Sequence, residues 1–142
     1  MKDGMLYCLT VMNETQLEYI FNNDQDIQRW IVEFEHTKKE LLAIDPFRKG
    51  SILKRWQTCR KPDCLCKKDK TFHNWPYLSW TLKRKQKTVS TIIPEEFLSF
   101  AKQNIQNAQN LDEIVQKLSA LSEKIIMKQI QLTRQTIKIS KI

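Results

Sequence analysis

Three cysteines and a histidine fall within fifteen residues of this chain: Cys59, Cys64 and Cys66, then His73. Three thiolates and an imidazole are a complete ligand set for one tetrahedral zinc ion per chain, and a loop tied to one ion at four points has few ways to fold. Pro62-Asp63 supplies a turn that brings Cys59 back towards Cys64. The direct Cys-x-Cys pair needs an extended or bulged segment for both sulfurs to meet the same ion. Two other outcomes stay open: zinc with a different fourth ligand, Cys8 or His36, and no metal at all, with the thiols as small buried side chains. Arg60, Lys61, Lys67, Lys68 and Lys70 crowd the cluster, and such charge is expected to lower thiol pKa values and favour metal binding or oxidation. In a reducing compartment this spacing is more often a metal site than a pair of disulfides.

Charge isolates the same region. Residues 1–46 carry 4 basic and 9 acidic side chains (net −5), residues 47–88 carry 13 and 2 (net +11), and residues 89–142 carry 7 and 5 (net +2). The central 42 residues also hold three of the four tryptophans and three of the four cysteines. A net charge of +8 concentrated in this way is the electrostatic footprint of a polyanion binder rather than of a uniformly basic protein. No stretch approaches the roughly 18 consecutive apolar residues of a membrane span. Met1-Lys2-Asp3-Gly4 lacks the apolar core and cleavage site of a secretory signal, so a cytoplasmic protein without membrane partners is expected.

Hydrophobic periodicity divides the chain at nearly the same places. Asn13-Glu14-Thr15-Gln16 reads as a capping box with Met12 stapled to Leu17. Behind it Leu17, Ile20, Ile27, Ile31, Phe34 and Leu41 recur at helical spacing until Asp45-Pro46. This predicts one long helix, or two broken near Asn22-Asn23-Asp24. From Gly50 the period becomes alternating: Ile52, Lys54, Trp56 and Thr58 oppose Leu53, Arg55 and Gln57. Tyr77, Ser79 and Thr81 oppose Leu78, Trp80 and Leu82, and Val89, Thr91 and Ile93 oppose Ser90 and Ile92, with a turn over Lys83–Lys87. Three antiparallel strands follow. Pro94-Glu95-Glu96 starts a last helix along Phe97, Phe100, Ile105, Ala108, Leu111, Val115, Leu118 and Ile125, with a kink or short break expected near Asn107.

The expected fold is α+β: an N-terminal helical arm (1–46), a basic, zinc-ribbon-like Cys/His β module (47–93) and a C-terminal helical arm (94–142). Ile27, Ile31, Phe34, Leu111, Val115, Leu118 and Ile125 are the candidates for association between helices or with a second copy of the chain.

Three segments carry a resemblance: Gly50-Ser51-Ile52-Leu53-Lys54-Arg55, Cys59-Arg60-Lys61-Pro62-Asp63-Cys64-Leu65-Cys66, and His73-Asn74-Trp75-Pro76-Tyr77-Leu78-Ser79-Trp80. Together they resemble an uncharacterised bacterial and archaeal family with the pattern G-S-L-x-x-R, C-G-K-P-x-C-x-C and H-G-P-Y-x-x-L-S-W, then a hairpin and a P-x-E helix start. The resemblance covers roughly residues 49–98. It departs at Arg60, at Asn74-Trp75 and in the hairpin turn, where the family has glycine, but the four ligand positions match. It implies a setting among transposase-like and other mobile elements, hence a nucleic-acid context.

Lys54, Arg55, Arg60, Lys61, Lys67, Lys68, Lys70, Lys83, Arg84, Lys85 and Lys87 are the expected phosphate contacts. Trp75, on a loop, is the expected base-stacking residue, while Trp56, Tyr77 and Trp80 read as the core of the small sheet. Catalysis is not expected: the basic module holds only Asp63 and Asp69 as carboxylates, His36 and His73 lie on different elements, and two glycines cannot build a phosphate loop. The expectation is an accessory protein that binds DNA or structured RNA and assembles with itself or a larger effector protein. The competing expectation is a protein adaptor whose helices bind and whose Cys/His module is structural.

Overall fold

A computed structural model describes residues 13–69, 72 and 75–141. The chain is α+β, in the order α1 (Glu14–Asn23), α2 (Gln25–Leu42), β1 (Ser51–Trp56), β2 (Pro76–Arg84), β3 (Lys87–Ile93) and α3 (Leu98–Ile139). No helix among the described residues is long and apolar enough to cross a membrane.

The capping box forms. Gln16 N donates to Asn13 Oδ1 at 2.9 Å and Asn13 N to Gln16 Oε1 at 3.3 Å; Met12, the staple partner, lies outside the described residues. Of the two readings of the N-terminal arm, the broken one holds. Asp24 leaves the helical conformation (ψ 121) and caps the next helix, its Oδ1 accepting from Ile27 N at 3.0 Å. A side chain that can bond the backbone locally ends one helix and begins another.

The expected break near Asn107 does not occur: α3 is a single helix of 42 residues. Asn107 Nδ2 instead donates to the carbonyl of Pro46 at 3.0 Å, and Arg48 N donates to the carbonyl of Asn104 at 3.2 Å. The polar run that reads as a weak helix thus strap the incoming linker to α3.

The three strands pair antiparallel in the order β1-β2-β3, with Ile52 opposite Trp80 and Trp80 opposite Thr91. One sheet face meets the start of α3 in a small core of Trp80, Ile93 and Ala101, flanked by Ile52, Leu78 and Ile105. The Arg48 guanidinium lies 4.6 Å from the Trp80 ring centroid and donates to Thr91 Oγ1 at 3.1 Å. Lys49 pairs with Asp112 at 2.7 Å. These two cations are therefore structural. Gly50 sits at φ +125°, and a Cβ there would stand 2.3 Å from the Thr81 carbonyl oxygen, so the entry to β1 requires glycine.

The residues group into two compact units: Leu41–Ile114, containing the sheet, and Met1–Glu40 with Val115–Ile142. The first differs from the 47–93 module because the sheet's core needs Ala101 and Ile105 from α3. In the second, Ile27, Thr37 and Leu121 are buried, and Lys128 reaches Asp26 at 3.4 Å and Asp24 at 3.8 Å. Among the association candidates Ile27 is buried, Phe34, Leu111, Leu118 and Ile125 are half-buried, and Ile31 and Val115 are exposed.

Candidate metal centre and basic surface

The loop between β1 and β2 brings Cys59, Cys64 and Cys66 together, their sulfurs all within 4.8 Å of one another. Cys64 N bonds the carbonyl of Lys61 at 3.4 Å, so Pro62-Asp63 does form the turn. Cys64 itself is extended (φ −71°, ψ 142°) and caps a short 3-10 turn, Leu65–Lys67, in which Lys67 N returns to the Cys64 carbonyl at 3.0 Å. An extended residue followed by a tight turn lets sulfurs one residue apart face the same point. Cys59 Sγ and Cys66 Sγ are 3.3 Å apart, too far for a disulfide between them, which requires about 2.05 Å. Three thiols in this arrangement could hold a metal ion.

His73 and Cys8, two of the ligands considered, lie outside the described residues. His36 is on α2 beside Glu40, 3.9 Å away, and takes no part in the thiol cluster. The Cys66 thiol departs from expectation. Burial pushes its pKa up, and the neighbouring Cys59 thiol adds to the shift, because desolvation disfavours the charged thiolate. Cys66 is 1 % exposed, whereas Arg60, Lys61, Lys67 and Lys68 are on the surface, where water screens them.

The basic residues fall at both ends of the sheet. Lys54 and Arg55, with Arg60, Lys61 and Lys68, lie at the cysteine end, and Lys83, Arg84, Lys85 and Lys87 lie at the β2–β3 hairpin. All nine are exposed. No ion pair among the described residues engages any of them; the pairs that do form use Arg29, His36, Lys38, Lys49 and Lys128. Lys67 is committed to the loop, its Nζ donating to the carbonyl of Cys59 and, at 3.4 Å, to Thr58 Oγ1. Lys70 lies outside the described residues.

The hairpin turn is tighter than the Lys83–Lys87 span. Arg84 pairs with Lys87, leaving Lys85 (φ 49°) and Gln86 (φ 64°) as a two-residue loop. Both left-handed positions are those at which such a loop favours asparagine and glycine.

Trp75 is 75 % exposed, while Trp56 and Tyr77, expected in the core, are half-buried and stand apart from it. Their alternating pattern does not reveal this, because a strand end carries the same alternation as its middle.

Fold and site define a class: an α+β chain whose small basic sheet, its exposed cations unpaired among the described residues, carries a three-cysteine loop able to hold a metal. The chain matches no protein-family model, no curated protein and no solved structure.

Proposed function

We propose that this protein binds nucleic acid, DNA or structured RNA, through its basic sheet and cysteine loop, and that it does so without catalysis. The observation that carries the reading is the set of nine exposed lysines and arginines, at both ends of one sheet, with no carboxylate partner among the described residues. Surface cations left unneutralised repel one another, and a polyanion relieves that repulsion while releasing its counterions. Zinc is the metal we assign to Cys59, Cys64 and Cys66, with His73 as fourth ligand, since three sulfurs and an imidazole suit its tetrahedral preference. Its role is to fix the loop that presents Arg60, Lys61 and Lys68. In keeping with the mobile-element setting that the resemblance implies, the protein acts as a cytoplasmic accessory to a larger effector or ribonucleoprotein.

The test is a titration of the purified protein with duplex DNA, single-stranded DNA and structured RNA across a salt series, with bound metal quantified. If about half of the nine cations reach phosphate, the logarithm of affinity falls with the logarithm of salt at a slope of about −4. Neutralising Lys83, Arg84, Lys85 and Lys87 together should flatten that slope. Failure to bind any of the three polymers at low salt overturns the proposal.

A second reading has its own observation: Val115, Ile126, Met127 and Ile130 of α3 are exposed apolar side chains, as an adaptor helix would present. It predicts capture of a protein partner that survives neutralisation of the hairpin but is lost when Leu118 and Ile125 are made charged.

A further inference from the structure

Beside β1 a cavity of about 340 Å³ is lined by Lys54, Arg55, Trp56, Thr58 and Tyr77. We propose that it receives one unpaired nucleotide of a bound strand, its base stacked on the Trp56 or the Tyr77 ring, which the strand register turns to opposite faces of the sheet, and its phosphate towards Lys54 and Arg55. The inference deepens the nucleic-acid reading above and rests on it.

The lining selects the ligand. Two cations without a carboxylate among the lining residues favour an anion, and two aromatic side chains favour a flat ring with π-faces to stack. Thr58 adds a hydroxyl that can donate or accept. A nucleotide combines these needs in one group. The volume lies at the small end of the range for small-molecule pockets, about 300–1,000 Å³, which suits a single nucleotide better than a folded peptide.

The core does not explain these aromatic residues. Trp80, Ile93 and Ala101 form it, with Ile52, Leu78 and Ile105 against it, and Trp56 and Tyr77 belong to neither group. Lys54 Nζ lies 5.8 Å from the Trp56 ring centroid, so a cation and an aromatic face are already paired at the site. The strand ladder continues past it, with Gln57 N bonding the carbonyl of Trp75 at 3.1 Å. That backbone bond fixes the end of the sheet where the site lies. Paired bases hide their faces in the stack, so only an unpaired one can enter.

The experiment uses the full chain, a short single-stranded oligonucleotide, its fully paired duplex and a mononucleotide. Removing the stacking ring, by Tyr77→Leu or Trp56→Leu, should weaken single-strand binding about 5- to 150-fold, the range for losing one base-stacking contact, and leave duplex binding unchanged. Tyr77→Phe, which keeps the ring, should retain single-strand affinity. An oligonucleotide carrying 5-iodouracil should photo-crosslink to Trp56 or Tyr77 of the unaltered protein, a readout that does not depend on how the variants fold. Crosslinks found only elsewhere overturn the site, as does an equal loss for single strand and duplex, or no loss for either. A mononucleotide that binds as tightly as the oligonucleotide overturns the strand-borne assignment. Binding that stays salt-sensitive in any of these cases leaves the wider reading standing, whereas absence of all binding by the unaltered protein removes both.

Discussion

At the scale of single residues, two backbone positions set the geometry of the sheet and make opposite predictions. Gly50, at φ +125° with the Thr81 carbonyl 2.3 Å from where a Cβ would stand, has no room for alanine. Gly50→Ala should cost about 1–3 kcal/mol, read as a lower melting temperature, and an unchanged melting curve would show that the entry to β1 can move aside. Gln86, by contrast, holds φ 64° with a side chain. Glycine removes the conformational penalty of roughly 1–2 kcal/mol that an L-residue carries in the left-handed region. Gln86→Gly should therefore raise the melting temperature while keeping every cation of the hairpin. Thr81 gives a third case. Its hydroxyl is buried without a hydrogen-bond partner among the described residues, so Thr81→Val should be neutral or stabilising by about 1 kcal/mol. A loss of stability would mean that the hydroxyl has a partner after all.

At the scale of elements, the cysteine loop should depend on the metal that we propose its thiols hold, and the hairpin should not. Removing the metal should speed amide exchange over residues 57–69 and leave the β2–β3 ladder protected; uniform exchange through both would sink the idea of a locally stapled loop. The raised pKa of the Cys66 thiol gives this a pH dependence. Relative to the unfolded chain the metal-free fold holds that proton more tightly. The thiol's contribution to metal-free stability is therefore complete below the ordinary thiol pKa and is lost as pH rises through the raised one. Metal must displace the proton, so metal affinity should climb with pH over the same alkaline window. Much of this was legible beforehand, because alternation at Ile52–Trp56 and Tyr77–Leu82 and the Cys59-Cys64-Cys66 spacing are local signals. The unbroken α3 was not. Asn104 and Asn107 read as weak helix formers, and their roles towards Arg48 and Pro46 depend on residues some sixty positions earlier. The cavity was likewise hidden, since which aromatic residues leave the core is decided by where α3 crosses the sheet.

At the scale of the whole molecule, α3 contributes to both compact units, its residues through Ile114 to the one with the sheet and those from Val115 to the one with α1 and α2. Segment composition alone could not show this: a helical stripe gives the face that is buried, not which neighbour buries it. Each unit has its own buried side chains, Trp80, Ile93 and Ala101 in one and Ile27, Thr37 and Leu121 in the other. The nine exposed cations of the basic surface all belong to the unit with the sheet. Ile27 is 1 % exposed, and Ile27→Ala should cost about 2–5 kcal/mol, as large-to-small changes in cores do. Amide exchange should then rise across α1, α2 and the part of α3 beyond Val115, while β2 keeps its protection and salt-dependent nucleic-acid binding keeps its slope. Loss of β2 protection in parallel would show that the two units unfold as one. Loss of binding with β2 still protected would place part of the proposed nucleic-acid surface on the helical arms rather than on the basic sheet alone.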